Sequence, residues 1–135
     1  FNLTQKCYSI EELQDKSVDV IIVRLRDRTQ DYGIVSVVVT KLNEEYLEID
    51  NWVMSCRVFS RRLEYAIQEI LIRKSKQAGC QFIYLKHQVT DKNGLLTNII
   101  RDIGYDDLGS NKYKMDVENE HKSIDHYMKI TTELV

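Results

Sequence analysis

The sequence contains no proline, no CxxC pair among its three cysteines, and no apolar run near the roughly 20 residues that a bilayer-spanning helix requires. The last absence argues against a membrane-crossing helix, and the opening residues FNLTQKCYS lack the basic and apolar regions of a secretory signal. A cytoplasmic chain with no membrane partner is the expectation. Cys7, Cys56 and Cys80 are odd in number and far apart, a pattern that suggests neither a disulfide framework nor a cysteine zinc site and fits reduced thiols. His121 and His126, five residues apart, do not share a helix face cleanly, and together with the distant His87 they read as exposed side chains, so no metal is expected. The missing proline assigns no element by itself. A formal net charge of −2 leaves no global basic field; nucleic-acid binding would rest on the short patch from Arg57 to Arg62 and is not expected.

What is present fits one domain. The chain has 135 residues, of which 43% are hydrophobic and 30% charged, enough for a single core and far from a disordered composition. Ser9 and Glu12 form a capping box ahead of a short helix from Ile10 to about Lys16. The β-branched run VDVIIVRLRD (18–27) reads as a buried strand, RTQDYG as a turn in which Gly33 takes a positive φ, and IVSVVVT (34–40) as the returning strand. YLEIDNWVMS continues the meander, with Leu47, Ile49 and Val53 on one face and Tyr46, Glu48, Asp50, Trp52 and Met54 on the other. From Arg61 the apolar period becomes helical through Leu63, Ala66, Ile67, Ile70, Leu71 and Ala78, ending at Gly79. QFIYLK (81–86) is then a strand parallel to the third, because a crossover of that length joins parallel neighbours. A second amphipathic helix runs through Leu95, Leu96, Ile99, Ile100 and Ile103 to Gly104, and NKYKMDV (111–117) is the last strand. Residues 118–135 form a polar helix or tail, with Ile124, Tyr127, Met128 and Ile130 as a docking face.

The stretch MSCRVFSRRLEYA, where strand turns into helix, concentrates the chemistry. Unpaired amides and the positive end of a helix dipole attract an anion at such a point, and Arg61 and Arg62 add charge-assisted donors; the same residues also suit an N-cap serine followed by arginines paired with Glu64 or Glu69. Cys56 is a candidate nucleophile, since arginines and a helix N-terminus favour thiolate, or a cysteine that merely packs. Asp50 is a candidate general base or a strand carboxylate; Glu48 reads as solvent-facing. Arg24, Arg26 and Arg28 share a face and are expected to pair across the sheet with Glu48 and Asp50. Cys7 and Cys80 read as structural.

The segments VRLRDRTQDYGIVSVVV, LEIDNWVMSCRVFSRRLEYA and TDKNGLLTNIIRDIGY, with the opening FNLT, resemble the C-terminal GNAT-like domain of FkbH-like proteins over about residues 1–117. The resemblance implies a mixed α/β GNAT acyl-CoA N-acyltransferase-like fold, an antiparallel meander with flanking helices. It further implies an acyltransferase that binds phosphopantetheine, of coenzyme A or of an acyl carrier protein, between the third strand and its parallel neighbour. Arg57, Val58, Ser60, Arg61 and Arg62 align with the R/Q-x-x-G-x-G/A phosphate loop, with Ser60 and Arg62 where the family has glycine, and Lys92-Asn93 matches a pair that contacts the coenzyme. Cys56 would carry the acyl or glyceryl group, and Asp50 lies where the family places a base. Ile99-Ile100 replaces an aromatic pair whose tyrosine serves as acid, so tyrosine acid catalysis there is not expected. The family couples this domain to an N-terminal HAD-type phosphatase domain and supplies polyketide-type building blocks; no DxDxT motif for that chemistry occurs here. The rival expectation is a non-catalytic GNAT-fold module that docks a carrier protein beside a separate HAD domain.

Overall fold

The computed structural model describes residues 1–118 and 126–134. Its elements are α1 (Ile10–Leu13), β1 (Val18–Arg26), β2 (Asp31–Leu42), β3 (Tyr46–Met54), α2 (Leu63–Gln77), β4 (Phe82–Lys86), α3 (Leu95–Ile103), β5 (Asp106–Gly109) and β6 (Lys112–Asp116). The strands form one sheet in the order β1-β2-β3-β4-β6-β5, antiparallel except for β3 and β4. Those two run parallel, Tyr46 to Ile49 against Phe82 to Leu85, because α2 carries the chain back between them.

The capping box forms as the sequence predicts: the Glu12 amide donates to Ser9 Oγ at 3.2 Å and the Ser9 amide to Glu12 Oε2 at 2.8 Å. The helix that follows is shorter than expected and ends at Leu13, since it buries no side chain. Gly79 after α2 and Gly104 after α3 both take positive φ, 75° and 112°, which lets each helix stop at its expected place. The hairpin strand β2 extends three residues earlier and two later than its β-branched core, and Gly33, at φ 66°, lies inside it. The sequence reading missed β5. Asp106–Gly109 is exposed throughout, so it carries no burial signal, and it is held by pairing with β6 and by the Arg101–Asp107 ion pair at 2.9 Å. The C-terminal helix is not formed over 126–134, and Ile124 and His121 lie outside the described residues.

One extra residue reorganises β3. Val39 pairs with Asn51 and Thr40 with Ile49, leaving Asp50 as a bulge. The side-chain alternation therefore changes phase: Leu47, Ile49, Trp52 and Met54 all enter the core, whereas Val53 turns outward at 40% exposure. This corrects the expectation that Val53 shares a face with Leu47 and Ile49.

Leu63, Ile67 and Leu71 of α2 and Leu96 and Ile100 of α3 join the sheet residues Leu47, Ile49, Ile83, Leu85, Tyr113 and Met115 in one core. A buried polar link crosses it. Gln68 on α2 accepts the Tyr105 hydroxyl at 2.9 Å and approaches Met115 Sδ with its amide nitrogen at 3.1 Å. Burial first, against that hydrogen bond, drives the Tyr105 phenol to a higher pKa, so it stays a neutral donor. Replacing Tyr105 with Phe leaves the Gln68 carbonyl unpaired inside the core and should cost about 1–3 kcal/mol, read as a lower urea midpoint at unchanged m-value.

Candidate functional site

Beyond Ile49 and Leu85 the two parallel strands are no longer paired, and the site lies around this splay. On its β3 side the chain leaves Met54 through a 3-10 turn, Cys56–Val58, capped by Ser55, whose Oγ accepts the Arg57 amide at 3.4 Å and Arg57 Nε at 3.2 Å. Val58 is fully buried and pins the loop, while Cys56 and Phe59 are exposed. Cys56 thus stands on the 3-10 turn and not at the N-terminus of α2, which begins seven residues later.

Ser60 and Arg62 both adopt the left-handed conformation, at φ 63° and 62°. These are the two positions where the phosphate-loop pattern calls for glycine, and a side chain there costs about 1–2 kcal/mol per residue. α2 starts directly after Arg62, with no side-chain cap on its first-turn amides. Two left-handed residues on either side of Arg61, leading into an uncapped helix N-terminus, leave backbone N–H groups suited to an anion. Arg61 ties this loop to the β1–β2 hairpin: its Nη1 lies 3.4 Å from Asp27 Oδ2 and its guanidinium 4.6 Å above the Tyr32 ring. Asp27 is itself organised by Thr29, Gln30 and Tyr32, bonds that hold its carboxyl well below the usual range, those from Thr29 contributing most. The Arg62 guanidinium sits 5.6 Å from the Tyr127 ring, and His126 Nε2 lies 2.9 Å from Glu69 Oε2, so residues 126–128 return to α2 beside the loop. Glu69 also pairs with Arg73 at 2.5 Å, which leaves the expected Arg61 or Arg62 pairing with Glu69 unformed among the described contacts.

Asp50 is buried and surrounded. Lys6 Nζ bonds its Oδ1, Tyr8 donates to Oδ2 at 2.8 Å, and Lys41 Nζ lies 3.4 Å away. Burial opposes the charged form, but the Lys6 and Tyr8 hydrogen bonds and the two lysine charges outweigh it and hold the carboxyl below its ordinary range. Such a carboxylate is a weak proton acceptor, and its place in the structure is to lock the bulge. The expected pairing of Arg24, Arg26 and Arg28 with Glu48 and Asp50 does not occur, because β2 lies between β1 and β3; Arg24 pairs with Asp31 at 3.6 Å.

On the β4 side, Asn93 is buried with its amide committed: Nδ2 donates to Asn2 O at 3.0 Å and Gln88 O at 2.8 Å, and Oδ1 accepts the Thr90 amide at 2.6 Å. It shapes the loop that it was expected to present to a coenzyme. Lys92 is exposed on the rim of a cleft of about 410 Å³ between Phe1, Asn2, Gln5 and the Thr90–Asn93 turn. His87 is buried, contrary to expectation; Thr97 Oγ1 lies 3.3 Å from its Nδ1, and burial lowers its pKa and keeps the ring neutral. Cys7 is exposed and Cys80 buried, so only the second is a core cysteine. Ile100 is fully buried and presents nothing to the splay.

The residues that the sequence reading overlooked are Phe1 to Thr4. They lie along β3 as a short antiparallel strand, with Asn2 opposite Val53. Met54 N–H donates to Phe1 O and Leu3 N–H to Trp52 O, each at 3.0 Å, and Gln88 N–H donates to Leu3 O at 3.0 Å across the splay. Leu3 is fully buried, and the Phe1 ring packs edge-on to Trp52 and stacked on Phe59 at centroid distances of 5.5 and 6.0 Å. The apolar–polar alternation Phe-Asn-Leu-Thr is the signal that could have revealed this strand.

Two outcomes test this geometry. Ser60→Gly should raise stability by about 0.5–1 kcal/mol in chemical denaturation, since glycine relieves the left-handed strain at some cost in unfolded-chain entropy. Asp50→Asn should lower stability by roughly 2 kcal/mol at neutral pH. Because the folded pKa is depressed, the carboxylate's contribution is complete above an unfolded pKa of about 3.9. It is lost as pH falls through the lower folded value, so the difference between wild type and Asp50→Asn should shrink on acidification below that point.

No family profile matches the chain, and no curated protein matches it. Solved structures do. Tetrahymena GCN5 aligns over 76% of this chain and 70% of its own, with a TM-score of 0.58 and 7% identity. Nourseothricin acetyltransferase aligns over 76% and 66%, with a TM-score of 0.57 and 13% identity. The ribosomal-protein-S18-alanine N-acetyltransferase of Escherichia coli aligns over 83% and 76%, with a TM-score of 0.57 and 13% identity. At these identities the likeness concerns architecture, and with the mixed sheet and flanking helices it establishes that the chain has the fold of the GNAT acetyltransferases.

Proposed function

We propose that this chain is an acyl-transfer domain of the FkbH-like type that takes its acyl group on phosphopantetheine, from coenzyme A or from an acyl carrier protein. The observation that carries the reading is the left-handed pair Ser60 and Arg62 ahead of an uncapped helix, the backbone shape of a phosphate loop kept without its glycines. The loop amides would hold the phosphate, Arg57, Arg61 and Arg62 would supply charge, and buried Val58 would anchor the turn. Lys92 would approach the ligand from the opposite rim, and Asn93 would fix the loop that carries it.

Cys56 belongs to the phosphate end of such a site. A strand rises about 3.3 Å per residue, so an arm laid along β3 from Met54 toward Asp50 brings its thioester on the order of 13 Å or more from Cys56. This geometry favours direct transfer: the acceptor's amine or thiol attacks the thioester carbonyl, the C–S bond breaks, and pantetheine leaves as the thiol with the acceptor's proton. Asp50 holds the bulge at the acyl end and is not assigned as the base. The HAD-type partner domain, the polyketide-type building block and a cytoplasmic setting belong to this proposal through the sequence resemblance.

A second reading, a non-catalytic module that docks a carrier protein, is favoured by the strand Phe1–Thr4 in the splay and by the burial of Ile100 where an acid would stand. Release of free thiol from an acyl-CoA in the presence of an acceptor separates the two, since docking alone releases none. The phosphate site itself is tested by calorimetric titration with coenzyme A. Arg61→Ala with Arg62→Ala should weaken binding at least tenfold while circular dichroism stays unchanged, and equal affinity would remove the loop from the reading.

A further inference from the structure

We infer that residues Phe1–Thr4 are a displaceable occupant of the splay, and that a phosphopantetheine arm enters by replacing them along β3. The inference rests on the reading of residues 57–62 as the phosphate end and adds how access to that site is controlled.

The segment uses the backbone groups that an incoming extended chain would need. Met54 N–H and Trp52 O on β3, and Gln88 N–H beyond the end of β4, are bonded to Phe1 and Leu3 at 3.0 Å each. Thr4 adds its amide to Asn51 Oδ1 at 3.0 Å and its hydroxyl to Asp50 O at 2.9 Å, and Asn93 Nδ2 holds Asn2 O at 3.0 Å. A pantetheine arm is itself an extended chain with two secondary amides, so it offers the same donors and acceptors in the same strand-like form. Both cannot occupy one edge.

The occupant is built to be held without being permanent. Its one fully buried side chain is Leu3, and Phe1, Asn2 and Thr4 are only partly covered. Gln5, Lys6 and Cys7, which follow, are exposed. Short segments with few buried contacts open at free energies well below global unfolding. The Phe1 ring reaches from Trp52 to Phe59, next to the left-handed loop, so this end of the segment lies nearest the phosphate end.

A reversible lock tests this. Asn2 and Val53 face each other as a non-hydrogen-bonded antiparallel pair, a spacing of about 4.5 Å between Cα atoms that a disulfide can span. Asn2→Cys with Val53→Cys, in a chain carrying Cys7→Ser and Cys56→Ser so that no other exposed thiol remains, is titrated oxidised and reduced. The probes are coenzyme A and adenosine 3′,5′-bisphosphate, which lacks the arm. The expected result is at least a tenfold loss of coenzyme A affinity on oxidation, restored by reductant, with the bisphosphate bound equally by both forms. Trp52 is the sole tryptophan, and coenzyme A should change its emission in the reduced form as Phe1 departs. Phe1→Ala, a milder change than any at Leu3, should bind coenzyme A several-fold more tightly without altering bisphosphate binding. Equal coenzyme A affinity of locked and reduced chains overturns the inference, and so does bisphosphate binding with no gain from the arm in any form; the phosphate site survives both results. Failure of every form to bind either probe removes the phosphate site and this inference together.

Discussion

A single surplus residue in β3 governs the rest of the molecule. Asp50 has no partner in the ladder with β2, and a carboxylate placed there without compensation would be expelled by its own hydration. Lys6, Tyr8 and Lys41 supply the compensation from two other parts of the chain. With the bulge secured, the second half of β3 changes phase, Trp52 and Met54 turn into the core, and the strand bends from β4 after four pairs. The opening so created is flanked by the 3-10 turn at Cys56–Val58 on one side and by the Thr90–Asn93 turn on the other. Fold and site are therefore one problem here.

Much of the fold was legible because its signals are local. A serine and a glutamate three residues apart cap a helix, glycines end α2 and α3, and β-branched runs mark β1 and β2. A helix-length crossover implies the parallel pair. What escaped was what local patterns cannot encode. β5 buries nothing, so composition is silent about it. Strict alternation through LEIDNWVM put Val53 on the wrong face, because a bulge changes the period without changing the residues. His87 read as exposed because a lone histidine shows nothing of the helix that will cover it.

The site was legible in part and for a similar reason. The arginines and the strand-to-helix turn mark residues 57–62 in one dimension, but the left-handed backbone of Ser60 and Arg62 is a property of three. Asp50 is conspicuous in the sequence, yet its partners lie 44 and 42 residues upstream at Lys6 and Tyr8, and its carboxylate is already bonded to both. Asn93 changes in the same way, from a side chain offered to a ligand to one bonded wholly to backbone. Charge and hydrogen-bonding capacity can be counted in a sequence, whereas whether they are already used depends on contacts between remote segments.

The strand formed by Phe1–Thr4 also bears on how the chain reaches its native state. Its contacts with residues 51–54 and with Gln88 and Asn93 join parts of the chain separated by about 50 to 90 residues, the Asn2–Asn93 bond by 91. Loop-closure entropy makes such contacts slow to form, and their docking surface does not exist until β3, α2 and β4 have assembled. The segment is thus the last piece to be laid down. Until the rest of the domain has folded, Leu3 and Phe1 stay in water.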